Sequence, residues 1–194
     1  MDPNSVPALI EELKHNPFDH NSYARPDVAK VSHLHLQLSV NFDLHTLDGH
    51  VVLTVDRVTP NATKLLLDTV DLTILNVQLV DGGGSKIVKL PYQLHTAVPE
   101  FGSKLEVDLT SAGSGSKVKV QIDYRTASSA RALQWLTPEQ TDGGVHPFMF
   151  SQCEAINARS MVPCQDTPSV KATYTAEVCV YCFIELTFNL FSSS

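Results

Sequence analysis

An all-β fold, a sandwich or saddle-shaped pair of sheets, is what this 194-residue sequence predicts, on three observations. Apolar and polar residues alternate with period two, short strand-like runs recur at regular spacing, and glycine- and serine-rich turns separate them. From Leu34 through Leu36, Leu38, Val40, Phe42 and Leu44 every second residue is apolar, with His35, Gln37, Ser39, Asn41 and Asp43 between them. Side chains alternate faces along a strand, so the pattern predicts a long half-buried strand. Asp48-Gly49 supplies turn chemistry that tolerates positive φ, and VVLTVDRV (51–58) is the expected returning arm. KLLLD (64–68), LTILNVQLV (72–80), KIVKL (86–90), KLEVDL (104–109) and KVKVQIDY (117–124) read as further strands. Gly82-Gly83-Gly84 and SAGSGS (111–116) read as flexible turns between them.

Ahead of this pattern, residues 1–30 hold no sustained period and are expected to form a partly flexible extension. Val6 to Lys14 is long enough for one short helix, and HNPFDHNSYARPD, interrupted by Pro17 and Pro26, reads as extended linker. Order is expected to begin at Val31, and no useful helix is expected after residue 30.

Hydrophobic residues make up 43% of the chain, enough for a core, and the formal charge is −7. That charge, with no Lys/Arg cluster, argues against a nucleic-acid or anionic-membrane surface. No apolar run reaches the length of a membrane span, and the acidic, proline-broken start is not a secretory signal. A cytoplasmic address is therefore expected, with reduced cysteines and an unmodified Asn61-Ala62-Thr63 sequon.

Several local patterns carry less than their spacing suggests. Gly82-Gly83-Gly84-Ser85-Lys86 lacks the Gly-Lys-Ser/Thr order of a phosphate loop and leads into a strand, so it reads as a hairpin loop. Ser114 is not in a G-x-S-x-G elbow. His33 and His35 share a strand face, but a third metal ligand, Asp43 or His45, would lie far along the strand. Cys179 and Cys182 have C-x-x-C spacing without the second pair that structural zinc needs or the helix a redox pair wants.

The densest chemistry is FSQCEAINARSMVPCQDTPSVK (150–171). Phe148 and Phe150 alternate with Met149 and Ser151, which predicts a strand running on through Gln152, Cys153 and Glu154, with Gln152 and Glu154 on one face. A carboxylate beside an amide oxygen suits a protonated amine, and an exposed polar strand edge is the plainer alternative. Arg159 and Asp166, among Pro163 and Pro168, predict a rigid crossing closed by an ion pair. Cys164 has no adjacent histidine and reads as a packed thiol.

ALQWLTPEQT (132–141) and HPFMFSQCEAINARSMVPCQDTPSVKATYTAEV (146–178) closely resemble leukotriene-A4 hydrolase and its relatives among zinc aminopeptidases. A weaker likeness extends back through LHLQLSVNFDLHTLDGHVVLTV (34–55) and LLLDTVDLTI (65–74). The resemblance implies the N-terminal β domain of that family at 31–178, a saddle-like arrangement of mixed and antiparallel sheets, followed here by a divergent tail at 179–194. It also implies substrate binding through Gln152, Cys153, Glu154 and Ala155, facing the amino terminus of a peptide. The leukotriene hydrolase pattern usually has Gln where this chain has Glu154, whereas broader aminopeptidases use Glu. A carboxylate there favours a peptide ammonium over an epoxide chain.

The family's H-E-x-x-H zinc signature is absent, since no histidine here is followed by glutamate, and so is the G-x-M-E-N segment. The resemblance therefore implies no cofactor and no peptidase activity in this chain alone. One zinc ion, and possible epoxide hydrolysis, belong to a full-length parent through its catalytic domain. The alternative expectation is a non-catalytic β module, binding or regulatory, descended from such an enzyme.

Overall fold

The computed structural model describes residues 5–80 and 88–180. A ten-residue helix, α1 (Ser5–Lys14), opens the chain and buries Leu9 and Leu13. These pack with Tyr23 and Val98 in a small second core. The stretch read as linker is pinned to the body: the Asn16 side-chain amide donates to the carbonyls of Ser22 and Ala24, and Tyr23 and Ala24 are buried. Prolines removed the helical period there, but the polar side chains of Asn16 and Ser22 supply the missing backbone partners.

The long strand β1 (Ala29–Asn41) starts two residues before Val31 and runs antiparallel to β2 (Thr46–Arg57). The reversal falls at residues 42–45, where His45 takes φ +52°, and not at Asp48-Gly49. Those two lie inside β2, with Gly49 opposite Leu38. The apolar face explains the choice. Extending β2 back to Thr46 sets Leu47, Val51 and Leu53 opposite Val40, Leu36 and Leu34, so both arms bury the same side. Gly49 is needed for a different reason. Its φ is +152°, and a Cβ there would stand 2.1 Å from the Gln37 carbonyl oxygen. Gly49→Ala is expected to lower unfolding stability by about 2–3 kcal/mol, read from urea midpoints at unchanged slope.

Among the described residues the main sheet has six strands, in the order β11 (Thr173–Val180), β1, β2, β8 (Lys117–Arg125), β4 (Thr73–Leu79) and β5 (Val88–Lys89). In it β11 is parallel to β1 and the other neighbours are antiparallel. A second sheet sets β7 (Ser103–Asp108) between β3 (Lys64–Thr69) and β6 (Tyr92–Leu94). A two-stranded ribbon joins β9 (Leu133–Leu136) to β10 (Phe148–Ser151). One continuous core gathers Val51, Leu53 and Val55 of β2, Val120 and Ile122 of β8, and Leu65, Leu67 and Leu105 of the second sheet. This is the mixed and antiparallel all-β arrangement expected. The Gly82–Lys86 loop and the first two residues of the 86–90 strand fall outside the described residues.

His95, just past β6, donates its backbone N–H to the Lys104 carbonyl at 2.9 Å. Its ring Nε2 is buried without a hydrogen-bond partner among the described residues, 3.8 Å from Glu106. Burial first, then the Lys104 charge, holds its pKa below the ordinary imidazole value, against the pull of Glu106 and Glu12. The unfolded chain then takes up a proton that the fold resists. The stability His95 contributes is complete above the ordinary value and is lost as pH falls through the lowered one. His95→Gln should flatten the fall in unfolding free energy between about pH 7 and about pH 5.

Candidate functional site

A groove of about 1170 Å³ runs between the 149–170 segment and the apolar side of β1 and β11. One wall carries Leu34, Leu36 and Leu38 with Tyr174, Ala176 and Val178, which β1–β11 pairing sets side by side. The other wall carries Met149, Gln152, Cys153, Glu154 and Ala155. All four residues singled out from the sequence therefore line one cavity, although local reasoning gave them a different backbone.

β10 stops at Ser151, and residues 154–157 form a turn. The Asn157 N–H donates to the Cys153 carbonyl at 2.9 Å and its side-chain amide donates to the Glu154 carbonyl at 3.0 Å. The Glu154–Ala155 peptide is cis. The shared strand face expected for Gln152 and Glu154 is thus replaced by a turn. The two remain adjacent because the Glu154 N–H approaches the Gln152 side-chain oxygen at 3.5 Å. The competing signal was Asn157, whose amide closes a turn on Glu154. Gln152 and Glu154 are exposed and Cys153 is half-buried. Burial pushes the Cys153 thiol up, with a smaller push from Asp166, which disfavours the thiolate.

The wall is held by a buried polar knot. Arg159, fully buried, donates Nε to Asp166 Oδ2 at 3.0 Å, Nη1 to the Phe101 carbonyl at 2.9 Å and Nη2 to the Asp166 carbonyl at 3.1 Å. Its Nη1 also lies 3.8 Å from Asp68 Oδ1. Asp68, equally buried, accepts from the Ser22 hydroxyl at 2.6 Å, the Tyr23 N–H at 2.7 Å and the Asp166 N–H at 3.0 Å. The Asp68 N–H donates to the Cys164 carbonyl at 2.8 Å, which ties β3 to the crossing. The Arg159–Asp166 pair was legible from sequence. Asp68 and Ser22 were not, since Ser22 lies 46 positions from Asp68, Asp68 lies 98 from Asp166, and neither carries a motif.

Cys164 is buried within the knot, and burial raises its thiol well above the ordinary range, so it packs as a thiol. His33 Nδ1 contacts Thr173 Oγ1 at 2.7 Å, and His33 Nε2 and His35 Nδ1 share Thr175 Oγ1 at 3.2 and 2.8 Å. These side chains lace β1 to β11. Among the described residues no group of three or more His, Cys, Asp or Glu could hold a metal ion. No helix among them is long and apolar enough to cross a membrane. Cys153, Cys164 and Cys179 are free thiols; Cys182 of the C-x-x-C spacing lies outside the described residues.

The chain is thus a mixed β domain that presents an exposed carboxylate and amide on the wall of an apolar groove. The chain belongs to the Peptidase M1 N-terminal domain family, which it matches over residues 23–181. It is 42% identical over 163 residues to the leukotriene A-4 hydrolase of Xenopus laevis, covering 84% of this chain and 26% of that protein. It is 38% identical over 162 residues to leucine aminopeptidase 2 of Neurospora crassa, covering 80% of this chain and 23% of that protein. Among solved structures, native yeast LTA4 hydrolase superposes with a TM-score of 0.74 at 34% identity, covering 93% of this chain and 27% of that one. An M1 zinc metallopeptidase from Deinococcus radiodurans, at 22% identity and a TM-score of 0.57, shares the fold. The chain spans about a quarter of the length of the curated relatives it matches.

Proposed function

We propose that this chain is the substrate-side domain of a zinc aminopeptidase resembling leukotriene-A4 hydrolase, and that it binds the amino terminus of a peptide through Glu154 and Gln152. The carrying observation is that Gln152, Cys153, Glu154 and Ala155 together line the groove, with the carboxylate exposed. An ionised Glu154 offers charge and acceptor oxygens to an ammonium group, and the Gln152 oxygen adds a neutral acceptor. Zinc supplies a polarised water and carbonyl when bound in such enzymes, but these residues do not fit it, and no step of hydrolysis is assigned to them. The apolar side of β1 and β11 is then the surface on which a catalytic domain docks in the longer enzyme. Free cysteines at 153, 164 and 179 support a reducing, cytoplasmic setting.

The chain alone is expected to be inactive. Incubated with zinc and an aminoacyl chromogenic substrate, the purified 194-residue protein should match a heat-killed control; turnover above that control overturns the reading.

A further inference from the structure

One edge of β11 pairs with β1, and among the described residues no strand takes the other edge. All eight residues of β11 are exposed, including Tyr174 at 72%, Val178 at 55% and Val180 at 50%. A row of unpaired backbone donors and acceptors beside an apolar face is a template for another strand. Among the described residues nothing covers this edge, and β11 itself holds no lysine, arginine, proline or glycine, with Glu177 as its one charge.

We propose that β11 is a self-complementary edge on which this 194-residue chain pairs with a second copy of itself, antiparallel, about a two-fold axis at Ala176. The inference rests on this edge alone and not on the substrate-side reading. A two-fold axis through an antiparallel strand pair sets one residue opposite its own copy, and the pattern of β11 selects which. An axis at Glu177 places two carboxylates face to face, a destabilising arrangement. An axis at Thr175 leaves Val178, Cys179 and Val180 without strand partners from β11. With the axis at Ala176, every residue from Thr173 to Cys179 is paired within the strand. Tyr174 then covers Val178 of the copy, an aromatic pair with a β-branched residue, on the side that continues the groove wall. On the other side Thr175 faces Glu177 of the copy and Thr173 faces Cys179, so no like charges meet. Glu177 keeps its own contacts, accepting from Gln37 at 2.9 Å and standing 3.8 Å from His35.

The test is sedimentation equilibrium of the full 194-residue chain over a range of concentrations, with charge placed at one position. Thr175→Glu sets a carboxylate against Glu177 of the copy, and Thr175→Lys sets an ammonium there. Both variants lose the same hydroxyl and its contacts with His33 and His35, so their difference reports charge across the axis. A monomer–dimer equilibrium is expected. Against wild type, Thr175→Glu should raise the dissociation constant and Thr175→Lys should lower it, each by about 2- to 30-fold, because every contact occurs twice. Adding Glu177→Lys to Thr175→Glu restores opposite charges and should recover the dimer. Near-ultraviolet circular dichroism identifies any variant that fails to fold, and the remaining variants still decide the sign. A chain that stays monomeric at every concentration, or lysine and glutamate variants that shift together, overturns the proposal. So does growth into open-ended aggregates, because a two-fold contact closes.

Discussion

Arg159→Ala is expected to destabilise the protein by about 3–5 kcal/mol, a fall in midpoint temperature of about 6–20 °C for a chain of this size. The substitution leaves the Asp166 and Phe101 carbonyls without their guanidinium donors, and leaves the Asp166 side chain with the backbone N–H of residue 159 but no cation, in a largely buried site. Asp68 simultaneously loses the cation 3.8 Å from its Oδ1. Most of the loss is the penalty of an uncompensated buried carboxylate, so the net worth of the ion pair is smaller than the measured change. Arg159→Lys should recover little, because one ammonium cannot reach three acceptors that a planar guanidinium serves at once. Asp68→Asn is the complementary variant. It removes charge but turns an N–H donor toward the Ser22, Tyr23 or Asp166 donor, so it should also destabilise, despite nearly unchanged volume. Burial raises the Asp68 pKa, and Arg159, Ser22 and the backbone donors oppose that rise. Differential scanning calorimetry of the three variants separates these effects. If Arg159→Ala melts within a degree of wild type, the knot is not what holds the groove wall.

Glu154→Gln is expected to reduce peptide hydrolysis about 10- to 100-fold in a longer enzyme carrying this domain, the value of one charge-assisted hydrogen bond to an ammonium. A suitable host is the Xenopus laevis leukotriene A-4 hydrolase with its matching 163 residues replaced by those of this chain. The loss should appear as a higher KM for peptides with a free amino terminus, and should vanish for N-acetylated analogues, which carry no ammonium. Gln152→Ala should have the same direction and a smaller size, because its oxygen is neutral. Equal kinetics for the chimaera and its Glu154→Gln variant on free-amino peptides would remove Glu154 from the substrate pocket.

Much of this organisation was readable from local pattern. The period-two alternation of β1 located a strand and its buried face, and KLLLD, KLEVDL and KVKVQIDY each mark a strand within one or two residues of its observed bounds. The turn between β1 and β2 was misplaced because Asp-Gly is strong turn chemistry locally. It was overruled by the longer apolar register, which needs both arms on the core face. The strand expected through Glu154 failed for the opposite reason. Its alternation was real up to Ser151, but the Asn157 side chain and backbone capture the Cys153 and Glu154 carbonyls, and that turn is decided by hydrogen bonds the pattern does not display.

The sequence by itself determined the fold class, the strand content, the Arg159–Asp166 pair and the family likeness, because each depends on residue spacing along a few dozen positions. Tertiary structure alone decided that Ser22 and Asp68 complete the knot, that Gly49 lies where β2 meets the Gln37 carbonyl, and that residues 152–155 face Leu34 and Tyr174 across one groove. Those facts are contacts between residues far apart along the chain. Such contacts are selected by the collective burial of apolar faces and by the need to pair every buried polar group, and no local window contains both partners.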